Sequence, residues 1–154
     1  MRRLETVLAE HAFFKGMEPD HLSFIAGCGS NARFEEGEYI FHEGEPANFF
    51  FLIRHGKVTL ETFVPGRGPL VIQTIGEGDV LGWSWLVPPY RWAFDARALE
   101  LTRAVALDGA CLRAKCQEDN RLGYELMQRV AHIITQRLQA TMLQLIDVYG
   151  HASK

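Results

Sequence analysis

The sequence predicts a mainly β protein with helices at both ends, and three observations carry that expectation. Between Ala32 and Leu107 the chain breaks into short runs rich in β-branched and aromatic residues: Phe49–Ile53, Lys57–Leu60, Leu70–Ile72 and Ala104–Leu107. Glycines at 37, 44, 56, 66, 68, 76 and 78 fall between those runs, where turns need positive φ at low steric cost. On either side of this region the apolar pattern takes on helical spacing. Many short strands spaced in this way mean a sandwich, roll or barrel.

The elements follow in order. Leu4 to about Phe14 carries apolar residues at 4, 7, 8 and 14, which predicts an amphipathic helix. A second short helix is expected over Pro19–Ala26, with Leu22, Ile25 and Ala26 on one face. After Asp108-Gly109 a helix over Ala110–Gln117 precedes a long one that starts near Asp119-Asn120, either of which can serve as N-cap. Apolar positions then recur at 122, 126, 130, 133/134, 138, 142, 145 and 148/149. Some 28 residues at about 1.5 Å each make a rod of about 40 Å, too long to be only a lid on a domain of this size. The stripe Val130, Ile134, Leu138, Met142 and Leu145 is therefore expected to form a parallel homodimer seam, the alternative being a monomeric helix laid along its own domain. Residues 1–154 are expected to form one domain: helices over 1–30, strands over 31–108 with a loop-rich stretch at 78–98, and helices over 109–150.

Composition narrows the function. With 154 residues, 47% hydrophobic and 23% charged, the chain can build one proper core. A net charge of −3 supplies no basic field for a phosphate backbone, so nucleic acid is not an expected partner. Met1-Arg2-Arg3 is followed by Glu5 and Thr6 and not by an apolar stretch, and no run approaches the roughly 18 apolar residues of a membrane span. A cytoplasmic location is expected. Cys28, Cys111 and Cys116 are odd in number and lack CxxC spacing, which argues against a disulfide framework or a zinc site and predicts buried or half-buried thiols. Gly76-x-Gly78-x-x-x-Gly82 has the wrong spacing for a dinucleotide fingerprint, and phosphate-loop, His-Glu-x-x-His and Gly-x-Ser-x-Gly motifs are missing. The six histidines include no i, i+4 pair. Neither a metal site nor an enzyme is expected.

The most informative stretch is Gly78-Asp79-Val80-Leu81-Gly82-Trp83-Ser84-Trp85, followed by Pro88-Pro89-Tyr90-Arg91-Trp92-Ala93. Together with Phe34-x-x-Gly37-x-x-Ile40, Gly44, Ile53-x-x-Gly56-x-Val58 and Ile75-Gly76-x-Gly78-Asp79-x-x-Gly82, it resembles the cyclic nucleotide-binding domain of Crp/Fnr regulators and protein kinase A regulatory subunits. The resemblance implies an eight-stranded jelly roll (double-stranded β-helix), a short helix in the phosphate-binding cassette, and a terminal helix folded over the ligand. It also implies cAMP or cGMP as ligand. In that family the cassette begins Gly-Glu, with the Glu on the ribose, and an Arg about ten residues on clamps the cyclic phosphate. Here Trp83 stands at the Glu. A gapless count places Trp92 at the clamp with Arg91 one position early; alternatively Arg91-Trp92-Ala93 is the family's Arg-(Ser/Thr)-Ala with an extra residue before Arg97. Losing a hydrogen bond to a charged group costs roughly 1.5 to 3 kcal/mol, or roughly ten- to a hundredfold in affinity.

Gln136-Arg137-Leu138-Gln139-Ala140-Thr141 is similar to a run on the terminal helix of catabolite activator members of the family, which implies Arg137 and Thr141 as pocket residues. A solvated helix face is the other interpretation. Met142 replaces the Ser that a neighbouring protomer would contribute there. The cluster of Trp83, Trp85, Tyr90 and Trp92 either fills a vacated pocket or lines one adapted to a flat or apolar effector. The candidate ligand-binding residues are Gly82, Trp83, Ser84, Arg91, Trp92, Ala93, Arg137 and Thr141. Only His151 to Lys154 follow Gly150, where Crp/Fnr regulators carry a helix-turn-helix domain, so direct DNA binding is not expected. These features predict a regulatory small-molecule sensor acting through an effector protein. The alternatives are a ligand-free structural dimer and a true cAMP-binding module.

Overall fold

Strand β3, Phe49–His55, holds five consecutive apolar residues and divides them between two cores. Because side chains alternate along a strand, Phe50 and Leu52 point toward the helices while Phe51 and Ile53 point into a closed roll of strands. The same division is made by β8, Thr102–Asp108, whose Val105 and Leu107 face the helices and whose Ala104 and Ala106 face the roll. The computed structural model describes residues 3–152.

Eight antiparallel strands form two four-stranded sheets. The first runs β1 (Gly29–Phe34), β8, β3, β6 (Val80–Leu81); the second runs β2 (Tyr39–Phe41), β7 (Asp95–Ala98), β4 (Lys57–Val64), β5 (Gly68–Gly76). This is the jelly roll the sequence led us to expect. Its interior pairs small with large: Ala96, Ala104 and Ala106 lie among Phe41, Phe51, Phe94 and Trp92. At the β3–β4 turn Gly56 has φ 110°, and a Cβ there would fall 2.5 Å from Thr102 Oγ1 and 2.7 Å from the Leu101 carbonyl oxygen, so only glycine fits. On the outer face of the second sheet Glu61 is fully buried. Its Oε2 accepts from Thr59 Oγ1 at 2.7 Å and from Arg97 Nε at 3.1 Å, with Arg97 Nη2 at 2.9 Å.

The helices depart from expectation at one point. Helix α1, Leu4–Glu10, ends before His11 and does not continue to Phe14; Ala12–Phe14 is a separate 3₁₀ turn. His11 causes the break: one ring nitrogen accepts from the Phe13 amide at 3.1 Å and the other is hydrogen-bonded to the Ile53 carbonyl at 3.0 Å. Helix α2, Pro19–Ala26, opens with proline in its first turn, where the missing N–H costs nothing. Helix α3, Gly109–Glu118, is capped by Asp108, which accepts from the Cys111 amide at 2.8 Å. Helix α4, Asn120–Ala152, begins after Asp119, whose Oδ1 accepts from the amides of Arg121 and Leu122 at 3.1 and 3.2 Å.

Two sequence expectations are corrected here. Cys28 and Cys111 are joined in a disulfide across 83 residues, leaving Cys116 as a half-buried thiol. Motif spacing was uninformative because it is the fold that brings the α2–β1 junction to the first turn of α3, with the two Cα atoms 5.6 Å apart. Val130, assigned to the dimer seam, is 3% exposed and packs with Leu122 and Leu126 against the protein's own core. The stripe rotates away from the domain only after that point: Ile134, Leu138, Met142 and Leu145 are exposed. No helix among the described residues is long and apolar enough to cross a membrane.

Candidate functional site

The candidate site lies where β6 runs out of the first sheet. Leu81 ends the strand; Gly82, at φ 87°, turns the chain, and a Cβ on it would fall 2.2 Å from Cζ3 of the Trp92 ring. Trp92 is 5% exposed and stacks on Phe41 with centroids 3.7 Å apart and planes 6° from parallel. The backbone of Trp92 is fixed from both sides, its amide donating to Glu45 O at 3.0 Å and its carbonyl accepting from Gly44 N at 2.9 Å. The Trp92 indole therefore covers the inner side of Gly82. Arg91 faces outward, exposed, with Nη1 donating to the Gly44 carbonyl at 2.8 Å.

Trp83 to Leu86 closes as a single turn, Leu86 N donating to Trp83 O at 3.0 Å, and not as the short helix the resemblance implied. Pro88 and Pro89 explain this: a residue before proline is pushed out of helical dihedrals, and neither proline has an N–H to extend the ladder. Ser84 is buried, Ala93 exposed. Trp85 is fully buried among the helices, its ring 5.5 Å from that of Phe50. Trp83 is half-buried and meets Phe94 edge-to-face at 5.6 Å.

Helix α4 crosses this region. The Arg137 guanidinium donates to the Val80 carbonyl and stands 5.2 Å over the Trp83 ring. Its Nη1 is buried with no hydrogen-bond partner. Burial lowers its pKa to about 10, partly opposed by the Asp79 charge, so it remains a cation at neutral pH. Thr141 is exposed, its hydroxyl donating to Arg137 O at 2.9 Å. Two residues missed by sequence reasoning tie β5 to α4: Gln73 Nε2 donates to Arg137 O at 3.1 Å, and Gln144 Nε2 donates to Ile72 O at 2.9 Å. Between Trp83, Phe94, Leu60 and Ile72 on one side and Ile134, Arg137, Leu138 and Thr141 on the other lies an open pocket of about 240 Å³. Its walls are almost entirely apolar.

Of the sequence candidates, Trp83, Arg137 and Thr141 are brought together at this pocket, Gly82 and Trp92 form its inner neighbour, and Arg91 and Ala93 are directed elsewhere. Leu60 was readable only as a strand residue, and Phe94, in the bend before β7, carried no signal of its own, because nothing in their spacing distinguishes a pocket wall from the core behind it. Among the described residues no group of three or more His, Cys, Asp or Glu side chains is arranged to hold a metal.

Two four-stranded antiparallel sheets closed into a roll, a Gly-turn after β6 and a terminal helix across its mouth define the class of domain. Residues 32–119, more than half of the chain, match the model of the cyclic nucleotide-binding domain, and the chain belongs to that family. Among curated proteins it is 24% identical over 145 residues to a CRP-like cAMP-activated global transcriptional regulator of Mycobacterium tuberculosis, covering 94% of this chain and 63% of that protein. It is 28% identical over 147 residues to a putative potassium channel protein of Rhodopseudomonas palustris, covering 96% of this chain and 34% of that one. The chain thus spans less than two thirds of these relatives. Among solved structures, a putative cyclic nucleotide-binding protein from Geobacter metallireducens superposes with a TM-score of 0.79 at 29% identity, covering 90% of this chain and 99% of that one. The catabolite activator protein of Thermus thermophilus shares the fold with a TM-score of 0.70 at 23% identity, covering 90% and 63%.

Proposed function

We propose that this chain is a regulatory module that senses a small molecule other than a cyclic nucleotide, through a degenerate phosphate-binding cassette, and passes the signal to a separate protein partner. The observation that carries this is the position of Trp92. Its indole stands at the clamp position of the gapless count, buried against Gly82 and Phe41, while Arg91 is turned outward to the Gly44 carbonyl. A phosphate brought to that spot would meet an apolar ring and lose its hydration without a charged partner, which is prohibitive. Trp83 likewise offers a ribose no carboxylate.

The remaining apolar pocket beside Trp83 is the site offered to the effector. It is walled by α4 on one side, so a ligand with different affinity for two packings of α4 would shift the population between them. The exposed stripe Ile134, Leu138, Met142 and Leu145 is the proposed homodimer seam, and Ile134 and Leu138 also line the pocket, so dimerisation would cover its open side. The module is not proposed to catalyse a reaction or to bind nucleic acid itself.

A second interpretation, a ligand-free interaction dimer, is favoured by the close packing of Trp92 on Phe41. True cAMP binding would have to rest on Arg137 and Thr141, with Arg137 as its one cation at the pocket among the described residues. Isothermal titration with cAMP and with cGMP tests the proposal: the expected result is no measurable heat for either. Micromolar or tighter binding would overturn it and restore the nucleotide role.

A further inference from the structure

We propose that the Cys28–Cys111 disulfide is a second input site, a thiol–disulfide exchange site whose substrate is a dithiol and whose state is transmitted to the cassette through α3. The bridge stands at one junction: Cys28 lies between α2 and β1, Cys111 in the first turn of α3, and the Asp108 amide donates to the Cys28 carbonyl at 2.9 Å. Two residues beyond Cys111, Arg113 reaches the cassette. Its Nη1 donates to the Trp85 carbonyl, and its guanidinium carbon stands 4.2 Å over the Tyr90 ring. The first turn of α3 is also pressed against the cassette directly, since a Cβ on Gly109 would fall 3.0 Å from Trp85 Cβ. A displacement of α3 at Cys111 therefore moves groups that hold the Trp83–Tyr90 stretch.

The chemistry suits exchange. Cys28 is 8% exposed and Cys111 half-buried, so Cys111 is the residue of the pair more open to a reagent. A dithiol thiolate attacks that sulfur, forming a mixed disulfide and expelling Cys28 as a thiolate, which then takes up a proton. The reagent's second thiolate attacks its own bonded sulfur, expels the Cys111 thiolate and closes a cyclic disulfide; two electrons and two protons pass to the protein. Helix N-termini and cations favour a thiolate. At Cys111 the α3 N-terminal amide is already taken by the Asp108 carboxylate, so the favourable group is the Lys115 ammonium beside Gly27, next to Cys28, the thiolate expelled first: a Cβ on Gly27 would fall 2.8 Å from Nζ.

The test uses the wild-type protein before and after native incubation with dithiothreitol, followed by reoxidation. Thiols are counted by alkylation after a denaturing quench, and amide exchange is followed by mass spectrometry. The expected result is one thiol rising to three, with about tenfold faster exchange in the peptide covering 82–92 and little change in the β4–β5 hairpin. The Arg113→Met variant should still be reduced, but the redox dependence of exchange in 82–92 should be clearly smaller than in the wild type, the direct Gly109–Trp85 contact carrying what remains. Reducibility only after denaturation, unchanged exchange in 82–92, or equal acceleration throughout would each overturn the proposal. None of these outcomes depends on which ligand the pocket takes.

Discussion

The packing of Gly82 against Trp92 can be tested as a thermodynamic cycle. Gly82→Ala imposes two penalties: an L-residue at φ 87°, and a methyl 2.2 Å from the Trp92 ring. The first costs about 1–2 kcal/mol and the second about 1–3 kcal/mol for overpacking, so the single variant should lose about 2–5 kcal/mol. Trp92→Ala removes a buried indole stacked on Phe41 and should cost about 3–5 kcal/mol. In the double variant the methyl occupies vacated space and only the backbone penalty remains. The two changes together should therefore cost about 1–3 kcal/mol less than their sum. Equilibrium urea unfolding of the four proteins measures this directly. Additivity to within about 0.5 kcal/mol, the scale expected of independent sites, would mean that Trp92 does not cover Gly82, and would remove the observation on which the proposed loss of nucleotide binding rests.

Other outcomes follow from single contacts. Arg97→Met should strand Glu61, fully buried, with an unpaired charge and cost about 3–5 kcal/mol, while adding Glu61→Gln should recover part of that loss in the same urea titration. His11 is held neutral by burial, its pKa lowered from 6.5. The unfolded chain therefore takes up the proton first on acidification, and the stability His11 contributes above pH about 6.5 is lost as pH falls toward the folded value. His11→Gln should flatten that part of the pH–stability profile, and an unchanged slope would show another group to be responsible. Leu138→Glu with Leu145→Glu should give a monomer by light scattering if the α4 stripe is the seam; an unchanged oligomeric mass would exclude that seam.

The division between sequence and tertiary structure is visible in particular residues. Strands β3 and β8 were legible because runs of apolar residues between glycines have few other uses, and α2 was legible from a proline start and one apolar face. The proposed exchange of the family's Glu for Trp83 came from the resemblance and needed only a position in a motif. Which of Arg91 and Trp92 turns inward was not legible. The backbone hydrogen bonds of Trp92 to Gly44 and Glu45 hold the segment with Trp92 buried and Arg91 exposed. The α1 break at His11 depends on a carbonyl 42 residues away, and the disulfide on cysteines 83 residues apart. Local pattern and turn chemistry belong to the sequence by itself, and they determined the strand-rich roll and its flanking helices. Contacts between distant segments depend on how the chain closes. Only the tertiary structure decided that Trp92 lies on Gly82, that Val130 belongs to the core and that Cys28 meets Cys111.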